Sequence, residues 1–154
     1  MTATAPVRPT RDTAKIDEMN SLLRGELAAV ETYEQAMKKF DKAEALQTLG
    51  RIRDDHKAAA SCISSHILAL GGVPDTDSGT WGTFARAVTG TAKALGPQTV
   101  LVALHEGEQH GIADYESSLQ SPHLCRECLY FIRGELLPHC REHLLTLEQF
   151  MSEV

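Results

Sequence analysis

Two glutamates stand where a helix should bury apolar side chains. The stretch from Arg24 to Glu34 reads as helix. Its apolar seam of Met19, Leu23, Val30, Tyr33, Met37 and Phe40 is complete only when Glu26 is placed between Leu23 and Val30. The pattern returns at Glu108, which falls within the stripe Leu101, Leu104, Ile112, Tyr115 and Leu119. Gly25-Glu26 is followed six residues on by Tyr33-Glu34, and Gly107-Glu108 by Tyr115-Glu116 with the same gap. A carboxylate inside a core needs a partner, a metal ion or a proton, because an isolated buried charge is too costly. Histidine follows each pair: His56 comes 23 residues after Tyr33, and His139 comes 24 after Tyr115. The chain therefore reads Glu, Tyr, His twice, as two copies of a helical hairpin that each turn one carboxylate inward.

Long helices must position these groups. The first is expected from about Lys15 to Phe40, with Asp12 or Thr13 as its cap. Asp41 and Glu44 have the spacing of a capping box for a second helix running to about Leu70, with His56 in the middle of its stripe of Leu49, Ile52, Ala60, Ile63 and Ile67. Gly71-Gly72-Val73-Pro74 ends that helix. A polar loop over Asp75–Gly82 leads to helical spacing over Trp81–Leu95, a short segment expected to pack as a lid on the bundle. The third long helix is expected from Pro97 to Leu119, and the fourth from Pro122, in its first turn, to Met151. Pro138 lies inside the fourth. It has no N–H to give the Gly134 carbonyl and its ring crowds that oxygen, so a kink or a local π-type widening is expected just before His139. The kink is either incidental or aims His139 at a ligand.

Composition narrows the function. The chain has 154 residues, enough for one domain with a full core, read here as a flexible lead-in over 1–14 and a helical domain over 15–154. Aromatics at 5% suit helix packing better than a β-sandwich. A net charge of −6 with no basic run argues against nucleic acid. The lack of a long apolar run argues against a membrane span, and the polar, Pro-containing N-terminus does not read as a signal peptide. A cytoplasmic protein with reduced thiols is the expectation.

Duplicated Glu–Tyr pairs on two long helices, each followed by a His on the next helix, resemble the ferritin-like superfamily, which includes rubrerythrins, bacterioferritins and ferritins. A closer likeness is to an uncharacterised bacterial branch, domain-of-unknown-function family 2383. It is carried by Leu70-Gly71-Gly72-Val73-Pro74, the insert with Gly79, Trp81 and Gly82, and Glu106-Gly107-Glu108 with Tyr115 downstream, and it covers about Lys15 to Met151. The resemblance implies an all-α, up-down four-helix bundle, with a crossover carrying a short extra helix between helices two and three. It also implies a transition-metal site, possible for Fe, Mn or Zn, with Glu26, His56, Glu108 and His139 as ligands and Tyr33 and Tyr115 holding the carboxylates. The superfamily's Glu-x-x-His motif is incomplete, since Arg53 precedes His56 and Leu136 precedes His139 where bridging carboxylates would stand. Asp55, Glu135 or Glu142 could substitute in another register, and Arg53 could instead neutralise Glu26 or Glu108 with no metal.

Two classes of function follow. One is a metal-binding bundle serving oxidative-stress protection or metal handling. The other is a degenerate bundle, its core closed by Glu–His–Tyr hydrogen bonds, that acts as a structural or interaction module. A homodimer is expected in either case, and no small-molecule substrate can be read from the residues. His143, one turn beyond His139, could be an additional ligand. His66, His105 and His110 read as surface or boundary residues. Cys125-Arg126-Glu127-Cys128 followed by His139 and His143 has zinc-finger-like spacing, but on a continuous helix Cys128 and His139 lie about 16 Å apart at roughly 1.5 Å per residue, too far for one zinc. The two cysteines alone could form a redox pair.

Overall fold

The computed structural model describes residues 11–78 and 96–154. Three long helices come first: α1 (Arg11–Met37), α2 (Ala43–Ala69) and α3 (Pro97–Ser118). The fourth arm of the bundle is continuous but not uniform. It consists of α4 (Arg126–Phe131), a π-helical turn (Ile132–Leu136) and α5 (Leu137–Glu153). No strand occurs among the described residues. The expected short helix and lid over Trp81–Leu95 lie outside them.

Contacts between helices give the topology. Met37 lies against Gly50, Glu26 against His56 and Ile16 against Gly72, so α1 and α2 run antiparallel. Glu116 pairs with Arg141, Glu108 faces His143 and His105 pairs with Glu148, so α3 and α5 do the same. Tyr115 meets Glu26 and Tyr33 meets Glu108, which makes α1 and α3 antiparallel as well. Helix α2 is then parallel to α3, and the chain must cross the length of the bundle between them. The start of that crossover is tied to α1. Asn20 donates to the Val73 carbonyl at 3.0 Å and accepts from the Asp75 N–H at 2.8 Å, Arg24 pairs with Asp75 at 2.5 Å, and the Ser78 hydroxyl donates to Glu31 at 3.1 Å. This is the ferritin-like bundle with a crossover between helices two and three.

Helix ends follow local chemistry, with three departures from the sequence reading. Asp12 and Thr13 lie inside α1, which already begins at Arg11, and do not cap it. Lys42, not Asp41, is the N-cap of α2, and no side chain caps it. Helix α4 begins after Cys125 rather than at Pro122, because Cys125 is extended (φ −73°, ψ 162°) and its sulfur accepts the Cys128 N–H. The end of α2 is as expected. Gly71 adopts φ +79°, its N–H reaches the Leu68 carbonyl, and the Gly72 N–H reaches that of Ile67 at 2.9 Å, closing a Schellman motif. Pro138 has its predicted effect: the Leu137 N–H bonds back five residues to the Ile132 carbonyl.

The core is divided. Met19, Leu23, Ile63, Ile67, Tyr115, Ile132, Leu136 and Cys140 fill one half, while Tyr33, Phe40, Leu49, Ile52, Val100, Leu101, Leu104 and Leu147 fill the other. Each arm passes from one cluster to the other through a buried polar residue: Glu26 on α1, His56 on α2, Glu108 on α3 and His143 on α5. The bundle is thus two apolar plugs separated by one polar layer.

Replacing Gly71 with Ala forces a side chain into the left-handed region and should destabilise the chain by about 1–2 kcal/mol, read as a lower urea unfolding midpoint with unchanged slope.

Candidate metal centre

The polar layer is built from two hairpins, and each brings a histidine to its own glutamate through Nδ1. His56 Nδ1 lies 2.6 Å from Glu26 Oε2, and His143 Nδ1 lies 3.5 Å from Glu108 Oε2. The tyrosines join the halves crosswise. Tyr33 donates to Glu108 Oε1 at 2.7 Å, and Tyr115 donates to Glu26 Oε1. Here the repeat breaks. His56 Nε2 reaches inward to Glu108 Oε1 at 2.8 Å, so one imidazole bridges both carboxylates. His143 Nε2 instead turns outward to Asp55 Oδ2 at 2.8 Å. The 3.5 Å approach of His143 Nδ1 to Glu108 Oε2 is an electrostatic contact and not a hydrogen bond, and these two atoms are the buried side-chain atoms left without a partner among the described residues.

Charge follows from this packing. Burial disfavours the His56 imidazolium, but Glu26 and Glu108 outweigh that cost and raise its pKa from 6.5 to about 10. Burial likewise works against the Glu108 carboxylate, yet His56 and then His143 bring its pKa down from 4.5 to about 2. His143 is also raised: burial opposes the cation and Glu108 prevails. Burial, reinforced by the neighbouring carboxylates, lifts both Tyr33 and Tyr115 well above the ordinary phenol value, so they remain neutral donors. The same two causes raise Cys140 and keep it a thiol.

The structure thus brings Glu26, His56 and Glu108 together and leaves His139 out. His139 is exposed, and His143 occupies the place the sequence reading gave to it. The reason is register. Below the π turn the inward positions are Cys140, His143 and Leu147, and His139 is one residue, about 100° of rotation, before Cys140. The steps of three and four through Cys140, His143 and Leu147 were the signal for this. Arg53 does not neutralise the glutamates. It pairs with Asp54 at 3.0 Å beside Met37, and His56 carries the counter-charge. Leu136 is buried in apolar surroundings, while Glu135 and Glu142 are exposed. Once His143 replaces His139, the residue three positions earlier is Cys140. His105 pairs with Glu148, and His66 packs against Phe131.

Two features bear on a ligand. His56, Glu108 and His143 each offer a donor atom within 4.8 Å of the others, and all three are buried. A cavity of about 280 Å³ lies between α1 and α3, with Glu26, Tyr33, His56, Glu108, Tyr115 and Cys140 in its wall. Small residues on both helices (Gly25, Ala28 and Ala29 against Gly107 and Gly111) leave that space.

Metal-free protein should show a defined pH window. His56 contributes stability fully below pH 6.5 and loses it as pH rises toward 10. Glu108 contributes fully above pH 4.5 and loses it as pH falls toward 2. Urea midpoints measured in chelator should therefore peak between pH 4.5 and 6.5. His56→Ala, which strands two buried carboxylates, should cost about 3–5 kcal/mol near neutral pH. His139→Ala, at an exposed position, should stay within about 0.5 kcal/mol.

Residues 14–121 match a family described as a domain of unknown function (DUF2383). Among solved structures, the bacterioferritin-related protein of Bacteroides fragilis, described as a dodecameric thioferritin, superposes with a TM-score of 0.76. That match covers 92% of this chain and 86% of the other at 20% sequence identity. No curated protein matches.

Proposed function

We propose that this chain, which belongs to the DUF2383 family and folds as a ferritin-like bundle, holds a transition-metal ion in its polar layer, with Glu108, His143 and His56 as ligands and Glu26 beside them. The observation that carries this reading is the orphaned pair Glu108 Oε2 and His143 Nδ1, buried and facing each other without a hydrogen bond. A buried carboxylate oxygen that accepts no hydrogen bond is expensive, and a cation offsets that cost directly. The outer nitrogen of His143 supports the same reading. Its N–H donates to Asp55, which in the neutral ring leaves the Nδ1 lone pair directed at the interior, the arrangement of a metal-ligating histidine.

The donor set of carboxylate and imidazole suits iron first, with Mn and Zn as the other candidates. Bound iron would supply one-electron chemistry toward dioxygen or peroxide, the basis for a role in oxidative-stress protection or metal handling. The chain's own residues prepare that setting. Tyr115 and Tyr33 orient the carboxylates, the two apolar plugs exclude water above and below, and the cavity between α1 and α3 leaves room for a small molecule. Arg53 and Cys140 stand where bridging carboxylates would, which favours a single ion over a pair.

A second reading rests on a separate observation. Glu26, His56 and both tyrosine hydroxyls are already fully engaged with protein partners, as in a bundle whose polar layer is structural and whose function lies in an interaction surface. Self-association is part of either reading. A homodimer in the cytoplasm is our proposal, and light scattering after size exclusion distinguishes it from a twelve-subunit shell. No helix among the described residues is long and apolar enough to cross a membrane.

Elemental analysis of untagged protein decides between the readings. The metal reading expects close to one equivalent of Fe, Mn or Zn per chain, lost in His143→Ala and Glu108→Gln and retained in His139→Ala. Added metal should also raise the melting temperature of the wild type alone. Trace metal unchanged by these variants would mean the layer is structural.

A further inference from the structure

The motif Cys125-Arg126-Glu127-Cys128 is not used by the polar layer. It lies on the same arm, 15 residues from His143, with Ile132 and Leu136 buried between them, so the centres are roughly 20 Å apart at ~1.5 Å per residue. The two sulfurs are 2.9 Å apart, and Cys125 Sγ also accepts the Cys128 N–H at 3.4 Å. Their surroundings differ. Cys125 is half-buried, whereas Cys128 is 1% exposed and packs in the apolar cluster with Met19, Ile63 and Ile132.

We propose that Cys125 and Cys128 form a redox-active dithiol that exchanges with small-molecule disulfides, Cys125 as the attacking thiol and Cys128 as the resolving one. The sulfurs need to close by less than about 1 Å to reach bonding distance. Electrostatics separates the roles in the same sense. Burial works against the Cys125 thiolate, but the hydrogen bonds from Cys128 and the charge of Lys15 lower its pKa below the ordinary value. Burial and the neighbouring Cys125 raise Cys128 to about 12. One thiol is ready to react, and the other remains protonated until the first has reacted.

The exchange balances with oxidised glutathione as the oxidant. The Cys125 thiolate attacks one glutathione sulfur, an S–S bond forms to Cys125, the glutathione S–S bond breaks, and the departing thiolate takes a proton from solvent. Cys128 then gives its proton to solvent and attacks Cys125 Sγ, expelling the second glutathione, which is protonated in turn. The cysteine pair loses two electrons and one glutathione disulfide becomes two glutathiones.

Full-length protein equilibrated across a range of oxidised to reduced glutathione ratios tests this. Trypsin cuts after Arg126, so without reductant the oxidised pair appears as two peptides joined through Cys125 and Cys128. The joined peptides should increase with the ratio, be lost in Cys125→Ser, and be replaced in Cys128→Ser by glutathione held on Cys125. The proposal is overturned if wild-type Cys125 retains glutathione without forming the internal disulfide. It is equally overturned if the pair stays reduced under conditions that glutathionylate the exposed Cys62, or if Cys125 crosslinks only to Cys62 of another chain. The wild-type experiment requires no variant to fold, and its result is independent of whether the polar layer holds metal.

Discussion

One imidazole held between two carboxylates sets the terms for the rest of the bundle. Glu26 and Glu108 come from different hairpins, and both are almost fully buried; His56 is the cation that makes their burial tolerable. Three arms must therefore meet at one height. The apolar residues above and below follow from that meeting point, since every arm changes from one plug to the other at its polar residue. Stability and the proposed site would share the same atoms: a bound cation would replace protons now shared among these groups, and metal affinity and pH-dependent stability would then be linked through one layer.

Much of the architecture was legible because a helix reports its buried face every three to four residues. Glu26 and Glu108 were conspicuous as the polar members of otherwise apolar seams, and His56 in the same way on α2. Gly71-Gly72 announced a helix end because only glycine takes the left-handed turn there without cost. The caps were less legible: Asp41 had the right spacing for a capping box, but the N-cap of α2 falls one residue later, at Lys42, with no side-chain cap.

The last arm shows where periodicity stops helping. Counting from Tyr115 led to His139, because the spacing of the first hairpin was carried over to a second hairpin whose last arm contains a π turn. The π turn at Ile132–Leu136 takes up extra backbone in one turn, and the inward face continues through Cys140 and His143. Which glutamate each tyrosine meets was also beyond reach. Tyr33 and Glu26 share a helix, but the bond runs to the other hairpin, and only the antiparallel approach of α1 and α3 determines that. Arg53 illustrates the opposite error: its charge and its position three residues before His56 nominated it, while its place on α2 turns it to Asp54 at the margin.

The crosswise tyrosines carry a further implication. Each hairpin holds a phenol whose acceptor is on the other hairpin, so neither half alone satisfies its own tyrosine hydroxyl. Two separate copies of one hairpin, related by a two-fold axis, would complete each other through the same bonds. Joining them through the crossover turns that meeting into an intramolecular event, with an effective concentration set by the linker and not by the cell. The polar layer then forms at any dilution, and the two copies become free to diverge. They differ at the histidines: one bridges both carboxylates from within, while the other is anchored from outside by Asp55. An arrangement with the symmetry of a two-hairpin dimer thus lets a single chain give two like residues unlike work.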